Sequence, residues 1–187
     1  GDAASDIGRD ALQSLSDLLT SDLCVLRSLD VSYTKVDGWD LVQALRSNAS
    51  LTSLDVRGVP RMADLYETLG GILLMPGCPC KVGYLRCSAF ELHEGDQVLS
   101  LRERSLEPGA PLLLAGLLKH NSTLYDLDVS ACEIDRAGAA AFAAVLEYNA
   151  TLKALRVAYN PLIDEDGKSA LRTAAAKWRP SLVLTLS

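Results

Sequence analysis

Two histidines, five cysteines and a scatter of carboxylates are the residues of this 187-residue chain that chemistry would call on first. His93 stands in Glu91-Leu92-His93-Glu94-Gly95-Asp96, beside three carboxylates. An acid–base site needs a histidine oriented by a carboxylate, with a nucleophile within reach. Sequence spacing shows neither contact, so catalysis is the unfavoured reading. His120 precedes an Asn that closes a helix and reads as solvent-facing polarity. Cys78 and Cys80 flank Pro79 and invite a zinc site completed by Cys87 and His93. Structural zinc wants four ligands at tight paired spacings, however, and Cys87 falls at an inward strand position. No G-x-S-x-G, P-loop, H-E-x-x-H or dinucleotide fingerprint occurs. No enzyme activity, cofactor, metal or small-molecule substrate is therefore expected.

Composition narrows the remaining classes. The formal net charge is −6, which argues against nucleic acid as partner, since phosphate binding needs a basic surface. No run of eighteen apolar residues exists, so no membrane insertion is expected. The first ten residues are acidic and lack the apolar core of a secretory leader. An odd number of cysteines without such a leader suits reduced thiols, in the cytoplasm first, with an organelle interior left open. Apolar residues make up 49% of the chain, enough to fill a core. Thirty-five of them are leucines, nearly one residue in five, against two Phe and two Trp.

That excess has a period. Leu124-x-x-Leu127-x-Val129-x-x-Cys132-x-Ile134 returns 28 residues later as Leu152-x-x-Leu155-x-Val157-x-x-Asn160-x-Leu162. Leu26, Leu29, Val31, Thr34 and Val36 fit the same frame, as do Leu51, Leu54 and Val56. Leu99, Leu101 and Leu106 mark another copy, whose first position holds Asp96. Independently, L-x-x-N-x-[ST]-L occurs at Leu45–Leu51, Leu118–Leu124 and Leu146–Leu152. Its Asn falls where a helix should end and is expected to take the left-handed C-terminal conformation. The same Asn residues make three glycosylation sequons, at Asn48, Asn121 and Asn149, which the repeat explains without glycans. Helices are expected at Ala110–Lys119 and Ala137–Leu146.

The 28-residue L-x-x-L-x-[LV]-x-x-[NC]-x-[LI] unit with its helix resembles the leucine-rich repeats of the ribonuclease-inhibitor type. It is also similar to those of NOD-like receptors and of algal and protist proteins. The resemblance covers nearly the whole chain and implies an α/β fold, a right-handed leucine-rich-repeat solenoid of about six strands. Its parallel sheet would line the concave side, with helices on the convex side. It implies little about function, because the scaffold serves many unrelated binding roles. Cys132 takes the slot that the pattern gives to Asn or Cys. Val59, Phe90 and Arg104 depart from that slot, and their turns are expected to lack its side-chain hydrogen bonds.

The whole chain, residues 1–187, reads as one leucine-rich-repeat domain. Residues 1–22 form an N-terminal helix that is either a cap or part of a repeat, with Ile7–Leu19 as the helical stretch. Since residues 181–187 also stop after one strand, the favoured reading is a piece of a longer solenoid. Residues 76–96 form an irregular half-repeat, in which Met75-Pro-Gly-Cys-Pro-Cys80 ends a helix. There, Val82–Cys87 and Gln97–Leu101 are expected to be neighbouring strands joined by a loop carrying Phe90, Leu92 and His93.

Strand alternation then lays out one outward face. Asp30 and Asp55 would form an acidic zone, Arg57, Arg86 and Arg102 a basic zone, Asp126 and Asp128 a second acidic zone, with Arg156 last. Tyr84 is the one aromatic anchor in that layout. These residues, with His93 in the odd loop, are the candidate contacts for a protein partner, within a larger assembly or alone. The expected function is a non-catalytic interaction module or scaffold subunit. The resemblance also allows a regulator of a small GTPase, like repeat-built GTPase-activating proteins, or a ligand-sensing segment of a NOD-like receptor.

Overall fold

Three-residue strands, each centred on a leucine, alternate with helices along most of the chain. The computed structural model describes residues 14–187. A helix α1 (14–20) is followed by β1 (Ser28–Asp30), α2 (Gly38–Leu45) and β2 (Ser53–Asp55). Then come α3 (Tyr66–Leu74), β3 (Tyr84–Arg86), β4 (Glu91–Leu92) and β5 (Val98–Ser100). The chain finishes with α4 (Ala110–Leu118), β6 (Asp126–Asp128), α5 (Arg136–Val145), β7 (Ala154–Arg156), α6 (Glu165–Trp178) and β8 (Val183–Thr185). The helical expectation for 7–19 falls partly outside the described residues.

The strand register follows the 28-residue frame. Leu29 pairs with Leu54 and Leu54 with Leu85, while Leu99, Leu127, Leu155 and Leu184 align in turn. Helices begin where an aspartate accepts backbone N–H groups: Asp37 from Trp39 and Asp40, Asp135 from Gly138, Asp164 from Gly167. An apolar residue, Val36, Ile134 or Ile163, precedes each cap and anchors it to the core. The last of these corrects the frame. Pro161 lengthens that turn by one residue, so Ile163 is buried and Leu162 is 60% exposed.

The expected left-handed Asn caps do not form. Asn48, Asn121 and Asn149 are buried, and their side chains are shared between repeats. Asn149 Oδ1 accepts the N–H groups of Thr151 and Leu152, while Nδ2 donates to Leu118 O and Asn121 O. Asn48 and Asn121 repeat the pattern, donating to Leu19 O and Gly83 O. Asn160 does the same at the other end of its strand, with Val129 O, Val157 O and the N–H groups of Cys132 and Ile134. The left-handed residue is instead the eighth of each full repeat: Tyr33, Gly58, Glu103, Ala131 and Tyr159 all have φ between 54° and 68°. That turn aims the N–H of Tyr33, Glu103 and Ala131 at a carbonyl of the next repeat.

The half-repeat splits the sheet. β3 and β5 are not neighbours: β4 pairs antiparallel with β3, through Leu85–Leu92 and Arg86–Glu91, and β5 begins a second sheet. The described residues form eight strands in two four-stranded sheets, instead of about six in one. The break leaves a signature in burial. Leu99 is only half-buried, like Leu29 and Leu184 on terminal strands, whereas Leu54, Leu85, Leu127 and Leu155 are fully covered. The cause is local. Residues 88–95 are too few for a helix, and Phe90 and Leu92 enter the core directly.

Helices hold the two halves together. A Cβ on Gly70 would lie 2.6 Å from Leu113 N, and one on Gly116 would lie 3.0 Å from Gly70 O. Only glycine permits that approach of α3 to α4. Lys119 reaches across to cap α3, donating to Leu73 O and Met75 O at 2.9 and 3.0 Å. Gly70→Ala should therefore weaken the protein by about 1–3 kcal/mol in urea unfolding, through forced separation of the two helices. Asn149→Ala should cost about 3 kcal/mol, because four backbone groups lose their partner in the interior.

Candidate functional site

On the first sheet, the expected zones of opposite charge collapse into one ion-pair network. Asp55 is 2% exposed and not a free surface group. Arg57 covers it with Nη2 at 2.8 Å and Nε at 3.1 Å, and Arg86 Nη2 approaches to 2.7 Å. Burial alone would favour the neutral acid. The hydrogen bonds from Arg57, with the charges of Arg86 and Arg57, outweigh it and hold Asp55 below the usual carboxylate range. The same contact raises the Arg57 guanidinium further. Arg86 also faces Asp30 at 3.8 Å, and Arg57 faces Glu91 at 3.3 Å. Glu91 in turn meets His93, which meets Asp96. The network thus runs from β1 through β2 and β3 to β4 and its following turn.

Three aspartates of the face have local duties as well. Asp30, Asp55 and Asp128 each accept the N–H two residues ahead, from Ser32, Arg57 and Ser130, which closes the turn after the strand. Hydrogen bonds from Ser32 also hold Asp30 below its ordinary range.

Arg102 does not join Arg57 and Arg86, because the sheet break places it at the end of β5. It pairs with Glu103 at 3.1 Å and lies 5.9 Å from the Tyr159 ring centroid. Arg156 forms a two-pronged pair with Asp126, whose hydrogen bonds raise it. Asp128 is half-buried, and no cation pairs with it among the described residues. Tyr84 is half-buried too, so the aromatic anchors lie elsewhere. Tyr33 is 77% and Tyr159 67% exposed, both at the left-handed position of their repeats. Their shared place in the 28-residue frame is a readable signal, but strand alternation ends before that turn and does not place them on the outward face.

The other chemical candidates resolve into structure. Cys80, Cys87 and Cys132 are buried, and burial pushes Cys80 up to about 11. Cys132 donates to Leu101 O at 2.9 Å. Cys24 is half-exposed and held lower, chiefly by the Ser50 hydroxyl. No group of three or more His, Cys, Asp and Glu able to hold a metal ion occurs among the described residues. His120 is not solvent-facing: it is half-buried, and its Nε2 is enclosed without a hydrogen-bond partner. Burial, then the charges of Lys119 and Lys81, lowers its basicity. A cavity of about 240 Å³ is rimmed by Glu67, Glu107, Glu133 and Asp135. Asp135 caps α5, Ser88 and Ser105 hydroxyls hold Glu107 and Glu133, and Glu67 sits in the first turn of α3.

Residues 120–143, from the end of α4 to within α5, match the family model described as a leucine-rich repeat. That stretch is a leucine-rich repeat. One curated protein that the chain is similar to is the ribonuclease inhibitor of Mus musculus, 27% identical over 177 residues. That match takes in 86% of this chain but 39% of the mouse protein, so the leucine-rich-repeat chain spans less than half of its relative's length. No helix among the described residues is long and apolar enough to cross a membrane.

The Asp55 clamp makes a pH-dependent contribution of known sign. A folded carboxylate held low stabilises fully above the unfolded carboxylate range, about pH 4, and loses that contribution as pH falls through its folded value. Asp55→Asn should cost about 1–2 kcal/mol at neutral pH, because Arg57 and Arg86 lose their shared anion. The gap to wild type should close on acidification below about pH 4, followed by urea unfolding at a series of pH values.

Proposed function

We propose that this chain is a non-catalytic protein-binding module, built as a right-handed solenoid whose strand face is concave and receives a protein partner. The observation that carries this reading is the register of the outward strand residues. Side chains two apart on each three-residue strand recur in register across three parallel strands of the first sheet and four of the second, on a backbone tied repeat to repeat. Such a face presents preorganised groups, so little ordering entropy is lost on binding. The leucine-rich repeats of the mouse relative belong to a protein named as an inhibitor of a ribonuclease, a role that holding another protein would fulfil. This chain shares the repeat, and the proposal carries over the mode of display without the partner.

Within the face, Asp30, Asp55, Arg57 and Arg86 supply a rigid charged platform. Arg102, Asp126, Asp128 and Arg156 supply polar contacts on the second sheet, with Tyr159 as the aromatic anchor beside them. His93 borders the platform at the sheet break.

The test is affinity capture from native extract, comparing wild type with two surface variants. Arg102→Glu combined with Tyr159→Ala should abolish recovery of the partner, while Glu147→Lys on the helix side should leave it intact. Equal recovery with the face variant, or loss confined to the helix-side variant, removes the strand face as the interface.

A further inference from the structure

One imidazole at the sheet break has a carboxylate at each ring nitrogen. His93 Nε2 lies 3.3 Å from Glu91 Oε2, and Nδ1 lies 3.3 Å from Asp96 Oδ2. The same Asp96 oxygen accepts the His93 backbone N–H at 2.7 Å. A neutral imidazole has one N–H and one lone pair, so it donates to one of these carboxylates and turns a lone pair toward the other. The imidazolium donates to both. Glu91 lies in β4, the outermost strand of the first sheet, and Asp96 leads into β5, the first strand of the second. The two-carboxylate contact therefore bridges the break. Its backing is slight otherwise: β4 is two residues long, and the turn between the carboxylates closes on a single backbone hydrogen bond, Asp96 N to His93 O.

We propose that His93 is a proton-operated latch across this break, joining Glu91 to Asp96 when the ring is doubly protonated. The surrounding charges favour the cationic ring on one side and compete for it on the other. Glu91, Glu94 and Asp96 are the anions of its own segment. Arg57, from the turn after β2, shares Glu91 at 3.3 Å, and behind it stand Asp55 and Arg86. Glu91 thus couples the latch to the platform of the strand face. Its consequence for partner binding rests on the reading of that face given above, while the latch itself does not. Protonation gives each ring nitrogen an N–H, so the contact to both carboxylates is complete only in the doubly protonated ring.

The experiment is an NMR titration of the full chain between about pH 8 and about pH 5, where carboxylates are largely ionised and histidine titrates. The Glu91 Cδ and Asp96 Cγ resonances should follow the midpoint of the His93 Cε1–H resonance, and His93→Gln should abolish their movement. Amide exchange at Leu92 and Asp96, corrected for intrinsic rates, should slow roughly two- to fivefold from pH 8 to pH 5.5 in wild type only, as befits a half-exposed ion pair. His120, whose enclosed Nε2 has no partner, serves as the internal control. A His93 titration that leaves both carboxyl resonances still, or an exchange change that persists in His93→Gln, overturns the latch. Neither result touches partner capture by the face variants, and loss of the face as an interface leaves these resonances as expected.

Discussion

Everything in this molecule depends on satisfying backbone groups between repeats. Three-residue strands offer few ladder hydrogen bonds, and the segments joining strands to helices leave N–H and C=O groups inside the protein. An orphaned buried group costs as much as a lost hydrogen bond or more. Asn48, Asn121 and Asn149 meet that demand with one carboxamide each, accepting from their own segment and donating to an earlier one, while Asn160 accepts from Cys132 and Ile134 of the repeat before and donates to Val129 O there and to Val157 O of its own. That double task needs a side chain with both a donor and an acceptor, as a carboxamide has. Cys132, which has a thiol donor, manages half the task by bonding Leu101 O. Asparagines enclosed to this degree also explain the sequons without glycans, since a buried carboxamide offers no acceptor site.

The sheet break shows the same constraint from the other side. Where residues 88–95 cannot supply a helix and an Asn, the chain folds β4 back against β3, covering an edge that would otherwise stand open. The cost appears nearby. Thr123 Oγ1 is buried without a partner, whereas Thr151, its equivalent one repeat on, bonds Asn121 O. Continuity passes to the helix layer, where Gly70 and Gly116 let α3 and α4 approach almost backbone to backbone. The break also decides the electrostatics of the face, because it parts Arg102 from Arg57 and Arg86 and brings Glu91 and His93 into reach.

The strand face is consequently less free than its residue types suggest. Asp55 is consumed by two arginines, and Asp126 by Arg156. These pairs fix side chains that would otherwise lose rotamer freedom on binding, so the face trades net charge for order. Asp128 and the exposed tyrosines at the left-handed turns, Tyr33 and Tyr159, stand outside these ion pairs.

The repeat period, most of the inward leucines and the helices at 110–119 and 137–146 were legible from the sequence alone, because each follows from the local spacing of apolar side chains, whereas the pairing of strands across residues 82–101 was not. That the left-handed turn falls on the eighth residue of the repeat and not on the Asn was not legible either, since that depends on a carbonyl belonging to the next repeat. The charge pairing of Asp55, the enclosure of His120 and the separation of Arg102 from Arg86 were likewise decided only in three dimensions. A one-dimensional pattern states which way a side chain points; it does not state which neighbour waits there, and electrostatics and burial are properties of that neighbour. The residues with chemical potential at the outset, two histidines and five cysteines, were thus named by the sequence, while the fold assigned most of them to structure and left His93 with a contact to explain.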